Sequence, residues 1–162
     1  MWPSEAQAAY VACAIDTDGW VSLRETRRRT PGDFRLTPNV GVTNQSVELI
    51  HRVADFSGVA RNISRNGVKG AADGRKIVTV QDIWQGYWRS PLHVIPILEL
   101  AIPYLLAKRQ RAQWVLEFAK SRISPAGKVY RSGRPYTERD WELMRWVRDA
   151  NGKSARIGES AI

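Results

Sequence analysis

The most constraining feature of this chain is a helix that runs into two acids and a glycine. From Ser4 to Asp18 the residues read as helix: Ser4 can cap it, and Glu5, Ala6, Gln7, Ala8 and Ala9 are sound helix formers. Tyr10, Val11, Ala14 and Ile15 then recur at helical spacing as one apolar face. The helix ends on Asp16-Thr17-Asp18-Gly19. Carboxylates there meet the negative end of the helix dipole, so something positive should compensate, and a bound divalent cation would do so. Alone, the same tetrapeptide is also ordinary helix-to-turn chemistry.

Residues 20–28 alternate as a strand, with Val21 and Leu23 on one face and Ser22, Arg24, Thr26 and Arg28 on the other. Thr30-Pro31-Gly32-Asp33 turns the chain. Residues 34–43 return as a strand, placing Phe34, Leu36, Val40 and Val42 opposite Arg35, Thr37, Asn39, Gly41 and Thr43. Ser46 caps a helix to about Ser57 that Gly58 stops, and a second strand pair is expected within 59–66 and 76–88, around a Gly-rich basic stretch. Pro91 opens a helix to about Ala101, another is expected from Tyr104 to about Ser121, and Thr137, with Asp140 three residues on, starts a last one.

The 162 residues suit one domain, expected over 1–152, with 153–162 a frayed tail. Lys and Arg number 25 against 16 Asp and Glu, a net charge of +9, which suggests a polyanionic partner without distinguishing DNA from RNA. Cys13 is the only cysteine, so zinc sites built on several thiolates are excluded and a reducing, intracellular setting is expected. No apolar run approaches a membrane span and no secretory leader is read at the N-terminus, so no membrane partner is expected. His51 and His93 are far apart and unaccompanied, which disfavours a histidine metal site.

Residues 11–19, Val-Ala-Cys-Ala-Ile-Asp-Thr-Asp-Gly, resemble the nine-residue signature of the LAGLIDADG homing endonucleases. Ala12, Ile15, Asp16, Asp18 and Gly19 agree with it, Val11 is conservative, and Cys13, Ala14 and Thr17 depart. The order of elements is similar too. The resemblance implies an α+β fold, an αββαββα core whose curved, antiparallel four-stranded sheet forms a DNA-binding saddle, with extra C-terminal helices. It implies a homodimer, because one signature is present and the family sets two such helices side by side; Tyr10, Val11, Ala14 and Ile15 are the expected contact. Asp18, with Gly19, is the expected metal site, for Mg2+ or a substitute such as Mn2+, and no organic cofactor is expected. Asn44, where the family often has glutamine, would orient the attacking water, and Lys108 would stabilise developing charge. Asp16 would steady the helix end by hydrogen bonds.

The implied activity is site-specific, metal-dependent double-strand cleavage of a long pseudo-palindromic DNA target, promoting intron mobility. An RNA-splicing maturase or a non-cutting nucleic-acid-binding relative is the alternative. Polar strand faces suit the major groove, where Arg pairs with guanine and Asn with adenine. The expected contacts are Ser22, Arg24, Thr26, Arg28, Arg35, Thr37, Asn39, Gly41 and Thr43. The second strand pair would add Arg61, Asn62, Arg65, Lys69, Arg75, Gln81 and Gln85. Arg109 and Arg111 are expected near the scissile phosphates, and Arg139, Arg145 and Arg148 on a solvated face.

Overall fold

The computed structural model describes residues 3–27, 34–66, 83–130 and 135–151. Of the expected contacts, Arg28, Lys69, Arg75 and Gln81 lie outside these residues, as does the tail. The described elements run α1 (Glu5–Asp18), β1 (Gly19–Arg27), β2 (Phe34–Asn44), α2 (Val47–Phe56), β3 (Ile63–Asn66), β4 (Ile83–Trp88), α3 (Pro91–Ala101), α4 (Arg109–Ser121) and α5 (Glu138–Ala150). This is the expected αββαββα order with two more helices after it.

The four strands form one antiparallel sheet in the order β1-β2-β4-β3. Strand alternation buries Val21, Leu36, Val40, Val42 and Trp88 on one face, against α1 to α5. Two clusters form there. The larger joins the strands to Val11, Ile15, Ile50, Val53, Ile97, Leu98 and Leu105; the smaller sets Leu36 and Phe118 against Leu143 and Met144. Trp88 is fully buried and satisfies its indole N–H on the Ala60 carbonyl at 2.9 Å.

Side-chain caps begin two of the five described helices, whereas Ser46, expected to cap α2, makes no side-chain cap bond. Ser4 and Gln7 form a capping box at α1, and Thr137 with Asp140 forms one at α5, where the shorter acid serves as well as Glu. Gly58, at φ 64°, ends α2 in the left-handed region glycine favours. The helix expected from Tyr104 begins instead at Arg109, because the backbone of residues 106–108 wraps around the Asp16 carboxylate.

Asp140 also anchors the C-terminal helices. It receives N–H and O–H bonds from Thr137 and an ion pair from Arg122, whose guanidinium lies over Phe118 and Tyr136. Burial opposes the charge, yet the Thr137 N–H and the Arg122 guanidinium hold the carboxyl below its ordinary range. A carboxyl with a lowered folded-state pKa stabilises the fold above its unfolded value, and that contribution disappears as pH falls through the folded one. Asp140→Ala should therefore cost about 3–5 kcal/mol in denaturant unfolding near neutrality, because it leaves Arg122 buried and unpaired. The loss should shrink below about pH 4, where wild type forfeits the same pair.

Candidate DNA interface and metal site

The end of α1 meets the loop before α4 in a reciprocal pair of caps. Asp16 accepts the backbone N–H of Leu106 at 2.6 Å, Ala107 at 3.2 Å and Lys108 at 3.0 Å. In return, the Lys108 ammonium donates to the carbonyls of Ile15 at 2.5 Å, Asp16 at 2.8 Å and Gly19 at 2.8 Å. An ammonium has three N–H donors, and here all are committed to the carbonyls that end a helix. Lys108 thus supplies the positive charge this terminus needs. Burial holds its ammonium below the usual lysine range, against the pull of Asp16, and Arg111 adds to the depression.

The Lys108 ammonium, expected to stabilise developing charge, is here turned towards backbone, at the helix end it holds. Arg109 donates to the Leu105 and Pro103 carbonyls, and Arg111 to the Ala150 carbonyl at 2.7 Å. On the final helix, Arg139 pairs with Glu117 and Glu142, and Arg148 with Glu25.

Asp18 is exposed at the tip of this clasp. Asn44, at the end of β2, donates its amide N–H to the Asp18 carboxylate at 2.7 Å and accepts the Ser46 N–H at 2.8 Å. Asn44 therefore aims the carboxylate while helping α2 begin. Gly19 has no substitute here, since a Cβ would lie 2.7 Å from the Gly41 carbonyl oxygen and 2.7 Å from the Ile15 Cα. The helix turns into the strand without room for a side chain.

Asp18 suits a hard cation that prefers oxygen, such as Mg2+. Among the described residues no group of three or more His, Cys, Asp or Glu could hold a metal. Asp16 is occupied by backbone N–H groups, and the carbonyl of Gly19, a residue expected at the metal site, accepts from Lys108.

The sheet face turned away from the helices runs outward from this site. Register places Trp20, Ser22, Arg24 and Thr26 of β1 on it, with Arg35, Thr37, Asn39, Gly41 and Thr43 of β2. Pairing then carries the face to Gln85 and Tyr87 of β4 and Ser64 of β3. None of these residues is acidic, and Arg24, Thr26 and Arg35 are exposed or partly so. This is the electrostatic character that a phosphate backbone and base edges require.

Several expected contacts sit elsewhere. Arg65 shares a face with Trp84, over whose ring it lies at 6.0 Å, so the register turns it towards the helices. Arg61 makes a two-pronged ion pair with Asp55, at 2.6 and 2.9 Å, which lowers the Asp55 carboxyl, and Asn62 donates to the Tyr87 carbonyl. Asn39 is on the expected face but only 8% exposed; its amide donates to Ser22 at 3.4 Å, and its buried Oδ1 has no partner among the described residues. Gly41 is buried beneath the ring of Trp20. Trp20, Ser64 and Tyr87 join the face without having been expected there. Parity alone would have placed Trp20, whereas Ser64 and Tyr87 needed the register of β4.

The α1 face expected between subunits also needs correction. Val11 and Ile15 are fully buried in the chain's own core, Ala14 is nearly so, and Tyr10 packs edge-on against Phe56 at 5.6 Å. The face of α1 left exposed carries Ala9, Cys13 and Thr17.

No family model and no curated protein matches this sequence. Solved structures do match its fold. The homing endonuclease I-CvuI, in complex with DNA, aligns with a TM-score of 0.61 over 98% of this chain and 87% of its own, at 14% identity. The archaeal intron-encoded homing endonuclease I-Vdi141I, complexed with DNA, aligns at TM-score 0.53 over 91% of this chain and 98% of its own, at 12% identity. I-SmaMI, bound to an uncleaved DNA target with calcium ions, aligns at 0.59 over 88% of this chain but 45% of its own, at 15% identity. This chain has the LAGLIDADG homing-endonuclease fold.

A structural role for Lys108 has a measurable consequence. Lys108→Met should lower unfolding stability by about 2–4 kcal/mol, since charge-assisted hydrogen bonds are worth about 1.5–3 kcal/mol each and removing their donor strands three carbonyls. Unchanged stability in that variant would return Lys108 to a purely chemical role.

Proposed function

We propose that this chain is one subunit of a homodimeric, divalent-metal-dependent endonuclease that cuts a long pseudo-palindromic DNA target, in the manner of intron-homing enzymes. The observation that carries the reading is the placement of Asp18. An exposed carboxylate is aimed by Asn44, fixed by the Asp16–Lys108 clasp, and set at one end of an acid-free polar sheet face.

The DNA-bound state of the three similar structures supports a duplex ligand, and the Mg and Ca named with them support a divalent cation. A divalent cation held by Asp18 would activate water and offset charge on the phosphorane-like oxygens. The chain's own residues supply position. Asn44 orients the Asp18 oxygens, Lys108 fixes the backbone beneath them, and the sheet holds the duplex in register.

The single exposed Asp18 carboxylate of each chain fits a site shared with a second copy. Two α1 helices meeting through Ala9, Cys13 and Thr17 would bring two Asp18 carboxylates together, because small side chains let helix backbones approach closely. The same fold unit accounts for nearly all of I-Vdi141I but under half of I-SmaMI, which agrees with use in pairs. Two-fold symmetry in the protein then implies related half-sites in the target. The alternative, a maturase or a non-cutting relative, would bind nucleic acid without nicking it.

Asp18→Asn should abolish Mg2+-dependent cutting of a randomised duplex pool while leaving salt-sensitive binding largely intact, since it removes a ligand and no phosphate contact. Full activity in that variant would remove Asp18 from the site. Mild oxidation or a short bis-maleimide should join two chains through Cys13, the sole cysteine, whereas a protein that stays monomeric on its duplex would contradict the dimer.

A further inference from the structure

Gly41 and Trp20 form a cross-strand pair on the sheet face turned away from the helices. The ring carbons Cζ2, Cη2 and Cε2 of Trp20 occupy the place a side chain at 41 would take, the last lying 2.6 Å from a Cβ built there. Gly41 is therefore an indentation in β2 that the indole fills. The row continues across β2 to Tyr87 of β4, and the Arg89 guanidinium stacks on the Tyr87 ring at 4.6 Å. Trp20 is partly exposed, and its position is two residues from Asp18, which bounds their Cα separation at about 7 Å.

We propose that Trp20 is a specificity-determining residue that reads the base pair beside the cleavage site through the 5-methyl group of thymine. The inference rests on the duplex-binding reading above and extends it to one position in each half-site. A strand residue facing the major groove usually discriminates by paired donors and acceptors. Here the row of Trp20, Gly41 and Tyr87 offers an indole laid over a glycine, so apolar contact dominates at that position. Thymine is the base that presents an apolar group in that groove. The faces of paired bases are stacked and inaccessible, which favours the methyl edge over ring stacking. Tyr87 and Arg89 flank the indole, where the guanidinium can meet the adjoining phosphate.

The test uses a randomised duplex pool, sorted by binding to the full-length protein in Ca2+ and, separately, by cutting in Mg2+. Wild type should prefer T·A at one symmetry-related pair per half-site. Replacing that thymine by deoxyuridine, or weakening the contact with Trp20→Ser, should lower the preference by about fivefold to tenfold, the lower part of the range for a base contact. Trp20→Phe should keep part of it. Gly41→Ala should mimic Trp20→Ser without touching Trp20, because the added Cβ evicts the ring. Circular dichroism and thermal melts establish that each variant folds. Preference unchanged at every position in folded Trp20→Ser overturns the inference, as does a changed position insensitive to the methyl. Duplex binding without cutting by wild type would sink the nuclease reading while leaving the base preference measurable. Selective binding of single-stranded RNA, lost in Trp20→Ser, would overturn both.

Discussion

The arrangement depends on two helix ends that neutralise each other. Asp16 closes the N–H groups of residues 106–108, and Lys108 closes the carbonyls that end α1. Either half alone would be costly: an acid against the wrong end of a helix dipole, or a partly buried ammonium without acceptors. Together they satisfy the orphaned backbone groups at both sites. The consequence is a stiff corner at the one place where α1 must pass into the sheet.

Rigidity at that corner matters because the sheet and the site share it. Gly19 begins β1 with no room for a Cβ, so the strand leaves the helix in a single fixed direction. Asp18 and the first row of the open sheet face are consequently a short, invariant distance apart. In the proposed enzyme, a duplex held in register by Arg24, Thr37 and Gln85 would present its backbone to Asp18 without further adjustment. In that enzyme, binding energy on the sheet would become positioning at the carboxylate.

Much of this was legible in the sequence, and the failures have physical causes. Capping residues and strand parity placed α1, β1, β2, α2 and α5 closely, since Ser4, Thr137 and Gly58 act locally. Asp16 takes the hydrogen-bonding role expected of it, with partners ninety residues away that no local pattern names. The start of α4 was hidden because a distant carboxylate overrides the helical preference of residues 104–108. The stripe on α1 expected to meet a second copy is needed first by the chain's own core. Val11 and Ile15 serve that core, which leaves the small residues outside. Arg65 and Tyr87 show the limit of parity, since both needed the β4 register to be placed.

In the proposed enzyme, two Asp18 carboxylates share metal across a dyad above the DNA backbone. The most direct measurement is anomalous diffraction from Mn2+ in a crystal of the protein bound to a selected duplex. The expected result is metal density within about 2.2 Å of Asp18 oxygens from both copies, beside the scissile phosphates. Metal held by one chain alone, or Asp18 carboxylates too far apart to share an ion, would contradict it.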